Sequence, residues 1–378
     1  MNGRHYDVAI IGGGIIGGSI AFELAKRRMK VVVLEKDRAV SQASSAAAGM
    51  LGAQSEFSSE NPLVPMALKS RSMFPKLAEE LKELTGIDIG YIEKGMLKVA
   101  TTDEERMALK QQYEFWTKIG QPVQWLSPDE LRQHEPNVNQ SLLGVMYIPR
   151  DGQISAPHLS QAFVQASMIH GAEWYEFTEV IDIKREEDSY KLLTNQGIIR
   201  AEAVVAAAGA WTGLFLEKTG CPLPMFPVKG ECLLVKTAKP LIQATIFAKN
   251  GCYIVPKKGN RLLIGATSTP NTFDKKVTVH GISSLLERAM QLVQGVGGAE
   301  WERTWAGIRP QTGDGLPYIG EHPHYRNMWI ATGHYRNGIL LSPITGILMA
   351  DLIERRDHRE IDLSPFSVKR HNGATCTT

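Results

Sequence analysis

The chain has 378 residues, 43% of them hydrophobic and 22% charged, with a formal net charge of +2. That length suggests two compact units or one interleaved pair, and the composition excludes a largely disordered chain. No Lys/Arg stripe could neutralise successive phosphates, which excludes nucleic-acid binding; the longest basic cluster, Arg355, Arg356, His358 and Arg359, is broken by Asp357 and reads as a solvated helix end.

Residues 6–11 read as a buried strand, 15–29 as a helix and 30–35 as a second strand, whose continuous run VVVL suits a parallel sheet covered on both faces. This is a βαβ unit. An Ala/Ser/Gly-rich loop, SQASSAAAGMLGAQ, leads to a helix over 63–84 with Gly86 as its stop. The character then changes to short strands such as 95–100 around a helix at 104–118, an α+β insertion over 87–146. The next helix follows Ser155 as N-cap and Pro157 in the first turn. Strands at 174–177, 180–183, 190–194 and 203–208 return to the first sheet.

From 227 to 303 the insertion resumes, with CYIVP and RLLIGAT joined by a hairpin turn at KKGN. From 304 the chain re-enters the first domain, through a strand at 328–331 and a last helix over 343–355. Expected, therefore, is an α/β protein: a Rossmann-like dinucleotide domain (1–86, 147–226, 304–365) interleaved with an α+β domain on a mostly antiparallel sheet (87–146, 227–303), ending in a mobile tail over 366–378. Cys221, Cys232, Cys252 and Cys376 form no C-x-x-C pair, and no stretch resembles a signal peptide or could span a bilayer; a cytoplasmic protein without a membrane anchor is expected.

Gly12, Gly14 and Gly17 fall between the first strand and helix, where a G-x-G-x-x-G has a mechanism. The first glycine permits the turn, the second lets backbone approach a pyrophosphate, the third lets helix pack on strand, and the helix N-terminus offers N–H groups to the phosphates. Glu35 ends the second strand, where a carboxylate accepts hydrogen bonds from an adenosine ribose and disfavours a 2′-phosphate. These features fit FAD and NAD alike.

The stretch GGGIIGGSIAFELAKRRMKVVVLEKD, followed by SSAAAGMLG, VVAAAGAWT, WAGIRPQTGDGLPYIG and GHYRNGILLSPITG in this order, resembles the D-amino-acid oxidase family over nearly the whole chain. The resemblance implies FAD as cofactor. It implies contacts from Ile15 and Lys36 beside the glycine loop, from Ser44, Ala48, Gly49 and Met50, from Val180 behind the adenine, and from His334, Tyr335, Arg336, Asn337, Gly338, Ile339 and Leu340 around the flavin. N–H donors before the last helix would face the flavin's C2 carbonyl and stabilise negative charge on the reduced ring. Relatives that attach FAD do so through a cysteine in the C-terminal flavin region; none lies between Cys252 and Cys376, so the FAD is expected to be noncovalent.

The resemblance further implies an amino-acid substrate whose carboxylate is held by Arg309, with Tyr253, Arg336 and Gly52 completing the pocket. A planar guanidinium suits a carboxylate because it donates two parallel hydrogen bonds. The family reaction is hydride transfer to flavin N5, so no catalytic base is required; glycine, sarcosine or small D-amino acids would give a 2-oxo acid, ammonia or an amine, and hydrogen peroxide. Where the glycine-oxidising branch has histidine two residues before the tyrosine and methionine after GAT, this chain has Gly251 and Ser268, and a roomier pocket is expected. A homotetramer and a role in thiamine biosynthesis are also implied. Two alternatives remain: a dehydrogenase using an acceptor other than oxygen, and a flavin-binding protein without turnover.

Overall fold

The computed structural model describes residues 4–217, 219–249, 251–356 and 360–371. Strand β1 (His5–Ile11), helix α1 (Ile15–Lys26) and strand β2 (Val31–Leu34) form the expected βαβ unit, with β2 buried throughout. β1 lies between β2 and the strand Gly197–Ala206, parallel to both, and Met328–Thr332 extends the parallel set beyond Gly197–Ala206. Antiparallel strands Tyr190–Thr194 and Val180–Arg185 branch from it, and Tyr318–Glu321 closes one edge. The crevice above β1, where the crossovers leave in opposite directions, is where an open α/β sheet binds its ligand. Helix α2 (Leu63–Thr85) ends at Gly86, whose φ of +74° is the left-handed stop its sequence suggests.

A second, nine-stranded sheet is antiparallel except where Thr245–Ala248 runs parallel to Met96–Ala100. Its spine is β3 (Met225–Lys236), β4 (Tyr253–Lys257), the strand Arg261–Gly265 and β5 (Glu300–Thr312). The mixed α/β class with one parallel-centred and one mostly antiparallel sheet is the expected one. Several boundaries differ. β5 pairs with β3 from Lys236↔Glu300 to Met225↔Thr312, so residues 304–312 belong to the second sheet; the exposed polar start EWER hides the strand from a hydrophobic reading. Gly144–Ile148 likewise pairs with Met96–Ala100 in the second sheet, past the expected return at 147. The segment 366–371 is packed, with Phe366 and Val368 buried and Arg370 bonded to Asp314; residues 372–378, including Cys376, lie outside the described residues.

The last helix, α3 (Gly338–Ile353), starts five residues before Pro343, the expected first residue. Pro343 lacks the N–H that would bond the Ile339 carbonyl, and the Ser342 hydroxyl donates to that carbonyl instead, at 2.9 Å. The helix therefore continues through the proline. Helix α3 packs on α1: the Ser19 hydroxyl donates to the Ser342 carbonyl at 2.7 Å, and a Cβ at Gly346 would run into Ser19.

Candidate active site

One elongated cavity of about 370 Å³ runs from the glycine loop, above β1, to the inner face of the second sheet. At its first end, Gly12 has φ +109° and abuts the Ala207 carbonyl, where a Cβ would lie 2.6 Å from the oxygen. Gly14 begins α1, and Gly17, whose Cβ would strike the Gly12 carbonyl, lies behind the loop and lets helix meet strand. Glu35 is buried and lines the cavity; its carboxylate accepts from Gly13 N–H (2.7 Å) and Asp37 N–H (2.9 Å). The Ile15 N–H donates to the Ser44 hydroxyl oxygen at 2.8 Å, which leaves the Ser44 O–H to donate elsewhere. Lys36 Nζ stands 4.3 Å from the ring centre of Trp211, and Val180 lines the same end.

The middle of the cavity is bounded by Ala48, Gly49 and Met50 on one side and by residues 333–339 on the other. Gly49, at φ +79°, accepts from Ile154 N–H and is so close to the Ile154 carbonyl that a side chain has no room. His334, Tyr335, Arg336, Asn337, Gly338 and Ile339 all line the cavity, so the N-terminus of α3 opens onto it. Leu340 does not; it is buried in the main core, with its carbonyl accepting from Ser70. Burial pushes His334 down to about 3, which keeps its imidazole neutral, with Nε2 3.1 Å from Thr345 Oγ1.

At the far end β3, β4 and β5 supply the wall. Val228 faces Arg309 in the β3–β5 ladder and Gly230 faces Gly307. Arg309 lies over Gly230: a Cβ there would fall 2.5 Å from the guanidinium carbon, so the glycine makes the space the guanidinium fills. Arg309 donates to the Thr267 carbonyl at 3.3 Å, and among the described residues no carboxylate lies within ion-pair distance of it. The buried Tyr253 hydroxyl is 3.5 Å from the Cys232 sulfur, and its burial pushes it well above the usual phenol range. Arg336 lines the cavity and already has a partner. Its guanidinium makes a two-pronged pair with Glu56, at 3.0 and 3.1 Å, so its charge is already matched, and it stands 5.3 Å from the Phe247 ring centre.

Glu56 itself is held in place by its loop. The buried Asp151 carboxylate accepts from Gln54 and Ser55 N–H and pairs with Arg71 at 2.6 Å; Gln112 and Trp116 donate to the Phe57 carbonyl. Gly52 lines the cavity and abuts the Ser55 hydroxyl, which would have to turn to admit a side chain there. Gly251 and Ser268 do not border the cavity. Gly251 sits in a turn at φ +84° with open space around it, and Ser268 is exposed. Glu56, Gly230, Gly307, Cys232 and Trp211 were not singled out by sequence reasoning. Glycines in the middle of strands, as in VKGE and WAGI, are the signal that could have found two of them.

A glycine loop against a helix N-terminus, an acid at the end of β2 and a cavity long enough to continue past a second helix N-terminus together fit FAD. The chain is 58% identical to the glycine oxidase of Geobacillus kaustophilus over 98% of each sequence. The crystal structure of glycine oxidase from that organism superposes with a TM-score of 0.96, covering 97% of this chain and 99% of that one. The glycine oxidase structure from Bacillus cereus ATCC 14579 follows at 44% identity and a TM-score of 0.88, covering 93% of this chain and 96% of that one. The bifunctional protein ThiO/ThiG of Trichormus variabilis is 34% identical over 98% of this chain, which spans 56% of its length. A family model described as FAD dependent oxidoreductase matches residues 7–352, and the chain belongs to this family.

Proposed function

We propose that the protein is a glycine oxidase: it removes hydride from the α-carbon of glycine or a similarly small amine bearing one carboxylate. The observation that carries this reading is Arg309, a guanidinium without a carboxylate partner among the described residues, in the same cavity as the dinucleotide loop. Arg309 would hold the substrate carboxylate through two parallel hydrogen bonds, with the Tyr253 hydroxyl donating beside it. Raised far above neutral pH by burial, that hydroxyl stays protonated and serves as a donor. His334 stays neutral and adds no charge against the substrate amine. The Glu56–Arg336 pair closes the pocket with balanced charge, so one substrate carboxylate matches the guanidinium of Arg309.

When bound, FAD supplies the hydride acceptor and passes the electrons to dioxygen, yielding hydrogen peroxide. Ser44, the α1 N-terminus and Glu35 would hold its adenosine and phosphates, while Ala48 to Met50 and the α3 N-terminus would bound the flavin. The remaining step asks the protein for orientation and exclusion of water, and needs no side-chain base.

A homotetramer rests on the family resemblance, and a cytoplasmic location on cysteine spacing without a C-x-x-C pair; no helix among the described residues is long and apolar enough to cross a membrane. A role in thiamine biosynthesis is supported by the likeness to ThiO/ThiG. The test is peroxide formation from glycine, sarcosine and D-alanine, alongside anaerobic bleaching of the flavin. Bleaching without peroxide under air would indicate a dehydrogenase, and no bleaching with any amine would end the enzyme reading.

A further inference from the structure

Lys257 closes β4 four residues after Tyr253, on the same face of the strand. Its ammonium is buried against segment 48–50 and the strip 152–154 and donates to three oxygens: the Ala48 carbonyl at 2.7 Å, Gln153 Oε1 at 2.8 Å and the Ile154 carbonyl at 3.0 Å. Three N–H groups meet three acceptors, which is the full hydrogen-bonding capacity of a lysine. No carboxylate among the described residues lies within ion-pair distance of it. A buried cation held only by neutral oxygens is costly to desolvate, so its place needs a reason other than charge pairing.

The acceptors supply one. Ala48 begins the segment 48–50 that lines the middle of the cavity, and Gln153 and Ile154 form the strip on which that segment lies. Met50 pairs with Gln153, Leu51 pairs with Gly152, and Ile154 N–H donates to the Gly49 carbonyl at 2.8 Å. Gln153 also donates back to the Pro256 carbonyl, next to Lys257. One ammonium thus ties both layers of the cavity's flavin side to the strand that carries Tyr253, and Ala48 packs in one apolar cluster with Tyr253 and Val255.

We propose that Lys257 is a positioning residue that sets the separation between the flavin-lining segment 48–50 and the substrate-facing wall of the second sheet. This rests on the oxidase reading for the substrate and on the family for FAD. Lys257 touches neither: it does not line the cavity. Its loss lets segment 48–50 relax away from β4 while Arg309, held on β5, keeps its carboxylate site.

The test uses purified holoprotein of wild type and Lys257→Met. FAD affinity is read from flavin fluorescence released on dilution, the flavin visible spectrum is followed as acetate is added as a substrate-like carboxylate, and kcat and KM are measured with glycine at saturating FAD. Expected is a rise of about tenfold in the FAD Kd, because the segment that bounds the flavin loses its fixed position. A fall in kcat of similar size with KM within about threefold is expected too, because orientation is lost and carboxylate binding is kept. A variant that melts earlier yet keeps FAD affinity, acetate-induced spectrum and kcat would make Lys257 a structural tie and overturn the proposal. If Lys257→Met does not fold, Gln153→Leu removes one acceptor and is expected to shift Kd and kcat in the same directions by about threefold; no shift overturns the proposal. FAD affinity is read without any amine, so a wild type that binds FAD and oxidises no amine would end the oxidase reading, while the change in FAD Kd still decides the role of Lys257.

Discussion

Substituting Gly230 by alanine tests the carboxylate site with a single methyl group. The new Cβ would lie 2.5 Å from the Arg309 guanidinium carbon and nitrogen Nη1, against about 3.4 Å or more for ordinary contact, so the guanidinium must move by about 1 Å. Backbone cannot absorb the shift easily, because β3 and β5 are paired on both sides of this point, at Lys229↔Ile308 and Glu231↔Ala306. Displacement of that size forfeits one of the two parallel bonds to the substrate carboxylate. A hydrogen bond to a charged group contributes about 1.5–3 kcal/mol, which corresponds to a loss in kcat/KM of about 10- to 150-fold. The loss is expected chiefly in KM, with FAD affinity and the flavin spectrum unchanged, since Gly230 lies at the far end of the cavity from the glycine loop. Steady-state peroxide assays with glycine, run beside a dilution measurement of FAD release, read both. An unchanged KM would show that the guanidinium over Gly230 does not bind the substrate.

Replacing Arg309 by leucine is expected to retain FAD and raise KM by more than Gly230→Ala does, since both bonds and the charge are lost; equal kinetics to wild type in the same peroxide assay would remove Arg309 from the site. Asp151→Asn leaves the buried Arg71 without its carboxylate and is expected to lower stability by about 3–5 kcal/mol, read from denaturant midpoints. Burial, with His324 nearby, pushes His322 down to about 4. Its contribution to stability is therefore whole above the ordinary histidine range near 6.5 and declines as pH falls from there toward 4, by about 1.4 kcal/mol per pH unit. His322→Asn keeps an acceptor for the N–H groups of His324 and Tyr325, and is expected to flatten the fall in urea midpoint between pH 7 and pH 5.

The first βαβ unit was legible because its signals are local: a buried run, a glycine loop and a helix of sufficient length within the first 35 residues. The candidate site was legible in the same measure, where a short motif carries its own mechanism. What escaped depends on distant partners. Glu56 and Arg336 meet across 280 positions, and nothing in either neighbourhood marks the pair. Gly230 has a reason only once β3 is laid beside β5 and Arg309 falls over it. Proline misled the reading of α3, since a hydroxyl one residue earlier takes up the carbonyl that Pro343 leaves without a donor. Strand β5 was misplaced because half of it is polar and exposed, and only its ladder with β3 shows which sheet it serves.

That early start of α3 has a further consequence. Helices α1 and α3 each follow a strand of the same parallel set, so both present their N-termini at one side of the sheet, and the Ser19–Ser342 bond and the close approach at Gly346 fix one against the other. The pair acts as a gauge of length. A flavin reaching from one helix end to the other would be attracted at both, its ring at α3 and its phosphate at α1. FMN has both of these parts and lacks only the adenosine, so preference for the whole dinucleotide would fall to what lies beyond α1, where the carboxylate of Glu35 lines the cavity.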